Sequence, residues 1–501
     1  MEHKFLLYNA VSYLAEQTHA FSDTDMGQPF AWRKHAEGVR LAYLGTYHEL
    51  RDLATLISQA RVEAGLAETA VLRTLAQNHL GYRDLQAVLV GVSDEIYDQE
   101  SAPGEWPLRT VLSHIVAVER TFFALAHVGL EAFRQGNPPP EFPEDANEQL
   151  FGSNDAFWHI ADEGTFAQLW AEYEQIHVRS WDAYAGLSNE ELNAPTPLWW
   201  EEEIYPIEYR LRRMDVHLRQ HLIQVEKTLD VIGQPETEVK RLLRQVFAAL
   251  AEVEGLLLDA PQLAIEAQQD LANNVRERTN LVVEVVQSVH ELETAVKTGD
   301  NETVEFILAA NPELTKAHDS NGLSLVLTAL YYQKAAIAQT FVEHGAPLSI
   351  HSAAALGDLE TVQKRVERWA GYLDEVATDG FTPLQLACFF NQEDVALWLI
   401  AQGANVTAVS QNGMSIQPMH AACSANNINI VRALLEHGAD VNAKQANDFT
   451  PLHTAADNNS TELVTLLLEH GADKTAVTSD GQTAYDWAVS KEKDAVLPLL
   501  Q

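Results

Sequence analysis

DFTPLHTAADNNSTELVTLLLEHGADK, residues 448–474, decides the fold of the C-terminal half of this chain. Thr450 and Pro451 suit a helix start: a threonine hydroxyl can cap orphan N–H groups, and proline is tolerated in a first turn, where the donor it lacks has no partner to lose. Further on, Leu463, Val464, Leu466, Leu467 and Leu468 form a broad apolar face, and Gly471 permits the left-handed backbone that ends the second helix. A unit of this size cannot bury its own apolar face, so neighbouring copies must stack.

Copies are present. Gly380 opens GFTPLQLACFFNQEDVALWLIAQGANV, Gly413 opens GMSIQPMHAACSANNINIVRALLEHGADV with extra residues before Pro418, and Gly403, Gly438 and Gly471 recur 35 and 33 residues apart. These segments resemble the ankyrin repeat family, whose unit is a turn and two antiparallel helices carrying T-P-L-H-x-A. Degenerate copies precede them at residues 292–314, 322–348 and 351–373, and GQTAYDWAVSKEKDAVLPLLQ reads as a cap, giving six to seven repeats over residues 287–501. The resemblance implies a protein partner, bound through turn tips and the concave helical face. Asp379, Asn412, Asp448 and Asp480 are the turn-tip candidates for that contact, against the alternative that they only close turns.

The rest of the chain is also helical in pattern, with breaks at Pro103-Gly104, at residues 136–143 and at Ala194-Pro-Thr-Pro197, so the fold class is all-α. The expected domains are a helical N-terminal segment (1–76), a helix bundle (77–235), a helical connector (236–286) and the repeat array (287–501). Gly65–Gln77 and Gly233–Gln245 agree at 7 of 13 positions. Two readings stay open: chance similarity between charged helix starts, or duplication of a bundle unit with residues 1–64 as a remnant.

The bundle segment carries the candidate chemistry. His217 and His221 are four apart, which sets both on one helical face a turn apart, near enough for one metal ion. His114 lies beside the apolar stripe of Val111, Ile115, Val118 and Phe122 on an earlier helix. A third imidazole from a facing helix would leave coordination positions open, as catalytic zinc sites do. By itself an H-x-x-x-H pair is a weak signal. His127 projects from another face of the His114 helix and reads as surface. Trp199, Trp200 and Glu201–Glu203, just before the His217 helix, either line a pocket mouth or anchor a loop.

Pro103-Gly104-Glu105-Trp106, the histidine eight residues after that tryptophan, the closing Leu187–Leu192 segment and the late H-x-x-x-H helix running on to Gln224 resemble the DinB/YfiT-like superfamily of metal-binding four-helix bundles. The resemblance implies His114, His217 and His221 as ligands of a divalent metal, zinc or nickel. It also implies, as one activity among several, thiol-dependent transfer or isomerisation with a low-molecular-weight thiol and an electrophile. No catalytic residue follows from it, and the competing expectation is a non-catalytic scaffold whose bundle is structural or senses a small ligand. Shifted back with the 13-residue match, the ligand positions read Glu49 and Leu53, so only the second copy would keep metal ligands.

Composition limits the partners. With 72 acidic against 33 basic side chains the net charge is −39, which repels a phosphate backbone, so nucleic acid is not expected. No apolar run reaches the roughly 18 to 20 residues a membrane span requires. The only cysteines, Cys388 and Cys423, both sit in repeats and fit a reducing cytoplasm better than a disulfide framework.

Overall fold

A computed structural model describes residues 6–198 and 203–501; Trp199, Trp200, Glu201 and Glu202 therefore lie outside the described residues. Among those described, helices do all the building: four isolated bridges occur and no strand. The chain divides into two compact units, residues 1–285 and 286–501.

The first unit comprises α1 (Leu6–Thr18), α2 (Leu41–Glu63), α3 (Ala70–Val88), the one-turn α4 (Asp94–Tyr97), α5 (Leu108–Arg134), α6 (Ala146–Phe151), α7 (Asn154–Glu163), α8 (Phe166–Tyr184), α9 (Asn189–Leu192), α10 (Ile207–Val231), α11 (Glu238–Leu257) and α12 (Ile265–Thr298), within which the division after Val285 falls. Helices α3, α5, α8 and α10 enclose one core, with Tyr82, Leu85, Val111, Ile115, Tyr173, Ile176, Leu218 and Val225 all buried in it. The loops between them are those marked by proline and glycine, because proline removes a helix donor and disfavours helix in the residue before it. Thr165 closes a capping box with Gln168 and starts α8; Ser188 does so with Glu191 and starts α9.

Helix α11 packs along both α2 and α3. The approach is close: a Cβ on Gly255 would stand 2.9 Å from Cβ of Ala76. Helices α1 and α2 and the stretch 246–285 are thus packed onto the bundle, with Val11, Leu14, Leu50 and Ile57 fully buried. Helix α5 is, by length and composition, apolar enough to cross a membrane, contrary to the expectation that no segment is; two-thirds of its apolar window is buried inside the unit, as in a core helix.

In the second unit α13 (Asn301–Ala310) is followed by six helix pairs. The first helices are α14 (Leu325–Tyr331), α16 (Ile350–Leu356), α18 (Pro383–Phe389), α20 (Pro418–Ser424), α22 (Pro451–Asp457) and α24 (Ala484–Ser490). Their partners are α15 (Ala335–Glu343), α17 (Leu359–Arg368), α19 (Glu393–Ala401), α21 (Ile428–Glu436), α23 (Thr461–Glu469) and α25 (Leu497–Leu500). First helices stack on first helices, so each repeat completes the core of its neighbour. Within α22, His453 Nδ1 lies 2.8 Å from Thr450 Oγ1 and its Nε2–H donates to the Gln482 carbonyl of the next repeat at 3.1 Å. His453→Ala leaves that acceptor and the Thr450 cap without their partner, and the array is expected to lose about 1–3 kcal/mol. A urea titration followed by tryptophan fluorescence checks this; an unchanged midpoint would show that water replaces the imidazole.

Candidate metal centre

Helices α5 and α10 pack along each other, and their seam brings the three predicted histidines together. Each offers one ligand atom, and the three atoms lie within 4.8 Å of one another. Nε2 of His114 and Nε2 of His217 are 3.1 Å apart; the ring centres of His217 and His221 are 4.5 Å apart, and those of His114 and His221 4.8 Å. The α10 register explains this: Leu211, Met214, Leu218, Leu222 and Val225 face the core, leaving 217 and 221 on the adjoining stripe that meets α5. Phe122, Val111 and Ile115 anchor α5 inward on the other side of the seam.

The donors suit a metal. His221 Nδ1 is 3.0 Å from Gln224 Oε1, an acceptor only, so Nδ1 carries the proton and Nε2 keeps its lone pair. Burial, with the neighbouring charges of His221, His114 and Arg213, pushes the His217 imidazole down to about 3, so it is neutral near pH 7. Burial and then His221 also push His114 down. Trp106, half exposed, presents its ring to His114 edge-on at 5.6 Å. His127 stands apart from the cluster and is half-buried where surface was expected; burial lowers its pKa.

A second ionisable cluster, unannounced by any motif, joins α3, α5 and α8 of this bundle to α11. Arg83 donates through Nε and Nη2 to the two oxygens of Glu254, at 2.9 and 2.8 Å. His79 Nε2 is 2.7 Å from Glu254 Oε2 and its Nδ1 is 3.0 Å from His177 Nε2; His177 Nδ1 in turn is 2.9 Å from Glu119 Oε1, and the Tyr173 hydroxyl donates to Glu119 Oε2 at 2.6 Å. Because the Glu254 carboxylate only accepts, His79 donates from Nε2 and accepts from His177 at Nδ1, which leaves one proton shared between His177 Nδ1 and Glu119. Trp181 stacks on His79 and Tyr82 on His177, each at 4.0 Å. Burial pushes His79 down to about 4, while Arg83 and His79 outweigh burial at Glu254 and hold its carboxyl at about 2.

Of the turn-tip residues, two are turned to internal work. Asp379 accepts from the Tyr331 hydroxyl at 2.7 Å and from Phe381 N, and Asn412 donates to the Asp379 carbonyl at 2.9 Å while accepting from Ser410 and Met414 N. Asp448 accepts from Lys444 Nζ at 3.1 Å, and Asp480 is exposed.

An all-α protein made of a helix bundle with a three-imidazole seam, followed by stacked helical hairpins, is the class that fold and site define. The comparisons agree at the level of its parts: residues 77–225 match the DinB superfamily, and residues 292–410, 350–445 and 444–501 match ankyrin repeats. The chain thus contains a DinB superfamily domain, residues 77–225, and an ankyrin-repeat array, residues 292–501. It is also similar to two proteins of Latrodectus tredecimguttatus: alpha-latrocrustotoxin-Lt1a, 31% identical over 143 residues (28% of this chain, 8% of the toxin), and delta-latroinsectotoxin-Lt1a, 33% identical over 73 residues (14% and 6%). The chain spans under a tenth of the length of these curated relatives.

Proposed function

We propose that His114, His217 and His221 hold a divalent metal, zinc or nickel, at which a low-molecular-weight thiol is activated for transfer to an electrophile, while the ankyrin array docks a protein partner. What carries the reading is the convergence of three imidazoles from two helices, their ligand atoms within 4.8 Å. Three protein ligands leave coordination open, and a bound metal would lower the pKa of a thiol there so that thiolate exists near neutral pH. The chain's own residues supply the rest: Gln224 fixes the His221 tautomer, and Trp106 provides an apolar wall over His114. Asp448 and Asp480, the tips less committed within the repeats, are the partner contacts we favour. Buried, unpaired Cys388 and Cys423, whose thiols burial pushes up, suit a reducing cytoplasm.

Metal-loaded protein mixed with an electrophile and, in turn, cysteine, glutathione and coenzyme A should consume thiol, and a chelator or His221→Ala should abolish that consumption. Inactivity of the loaded protein with every thiol would sink the transferase reading and leave the scaffold.

A further inference from the structure

The 13-residue match between Gly65–Gln77 and Gly233–Gln245 is the visible part of a longer correspondence. Gly65 (φ 68°) follows α2 as Gly233 (φ 80°) follows α10. Thr69 then caps α3 by accepting from Leu72 N, and Thr237 caps α11 by accepting from Lys240 N. The same shift of 168 residues carries the buried Val71, Leu75, Tyr82 and Leu85 of α3 onto the buried Val239, Leu243, Leu250 and Val253 of α11. It also carries Thr46, Leu50, Ala54 and Ile57 of α2 onto Met214, Leu218, Leu222 and Val225 of α10.

The remaining helices follow with nearly the same shift. At 166 residues, Ala10, Val11, Leu14 and Ala15 of α1 fall on Ile176, His177, Ser180 and Trp181 of α8; at 164, Leu108, Val111 and Ile115 of α5 fall on Ala272, Val275 and Thr279 of α12. Any two amphipathic helices can be slid into phase within a turn. Phase alone does not make four helix pairs agree on one shift to within four residues, nor reproduce the packing, in which α11 lies on α2 as α3 lies on α10.

We infer that the first unit is two copies of one four-helix bundle, the second circularly permuted as α11, α12, α1 and α2, and that Arg278 and Glu49 of the second copy fill the position His114 and His217 hold in the first. The shifts set Glu49 against His217, Leu53 against His221 and Arg278 against His114. Arg278, with 1% of its side chain exposed, donates from Nη2 to Glu49 Oε2 at 2.9 Å and to Thr46 Oγ1 at 2.6 Å, and from Nη1 to Glu49 Oε1 at 3.2 Å. The Trp32 ring lies 5.5 Å from its Cζ. A guanidinium is a cation that cannot dissociate, so this copy carries its charge covalently and has no ligand set to offer a metal. Its other contribution is to the first copy, where Glu254 of α11 closes the buried chain through His79 and Arg83. Of the two copies, the first alone offers a metal three imidazoles at this position.

The inference takes the metal reading of the first copy as its template, so it is tested with that site removed. Glu49→His, Leu53→His and Arg278→His are introduced together into the His217→Ala protein, and cobalt is counted by elemental analysis after dialysis. About one cobalt per chain, absent from the His217→Ala parent, is expected; a helical variant that holds none overturns the equivalence. Cobalt in this variant but none in the wild type would retain the equivalence and discard the metal reading of the first copy. If the variant does not fold, the reverse graft decides: His114→Arg with His217→Glu should melt at a higher temperature than His217→Glu alone, and equal melting temperatures overturn it.

Discussion

His217→Ala protein is expected to come out of purification with its divalent metal reduced from about one ion per chain to background, and His114→Ala likewise. Each substitution leaves two imidazoles, and a pair shared between a site and water holds a metal far more weakly than a set of three. The helices should survive, because the three rings lie on a half-buried seam beside the core and not within it. Gln224→Ala makes the graded case. It removes the acceptor that fixes the His221 proton on Nδ1 and should weaken affinity by about 10- to 100-fold without abolishing binding. Elemental analysis with circular dichroism reads all three variants. A wild-type protein that stays metal-free after supplementation with divalent ions, or a His217→Ala protein as metal-rich as wild type, would remove the site.

Legibility in the sequence followed how local each signal is. The repeats were readable because turn, cap and glycine stop lie within one unit and recur, as at Thr450, Pro451 and Gly471. His217 and His221 were readable as a pair because i and i+4 share a helix face; His114 needed the resemblance, since no rule of spacing joins α5 to α10. The buried chain was invisible for the same reason. His79, His177 and Glu254 are separated by 98 and 175 residues in their contacts, and each alone looks like a polar residue on an amphipathic helix. The duplication showed only at Gly65–Gln77, where a helix stop and a cap restrict residue choice; along the helices burial was kept while identity drifted, as in Phe247 opposite His79. Asp379 and Asn412 read as open tips because their long-range partners, the Tyr331 hydroxyl for Asp379 and the Asp379 carbonyl for Asn412, are set by the stacking of repeats.

Arg83→Met and Glu254→Gln should each destabilise the first unit by about 3–5 kcal/mol, because each strands a buried charge whose partner is gone. Arg83 is 4% exposed and fully committed to Glu254, Gln86 and the ring of Tyr8, so water does not reach it to compensate. The double variant Arg83→Met, Glu254→Met should recover much of that loss, since removing both charges together also removes the desolvation they impose. Acid provides the matching test. His79, at about 4 in the folded protein against an ordinary 6.5, is neutral when folded; its contribution is full above pH 6.5 and is lost as pH falls toward 4, by roughly 3 kcal/mol at 1.36 kcal/mol per unit. Glu254, at about 2 against 4.5, adds a further loss in the same direction below pH 4.5. Urea midpoints between pH 7 and 4 should therefore fall in the wild type and fall less steeply in His79→Gln. Parallel slopes in the two proteins would mean that acid enters elsewhere and that the chain from Arg83 to Tyr173 tolerates a proton in place.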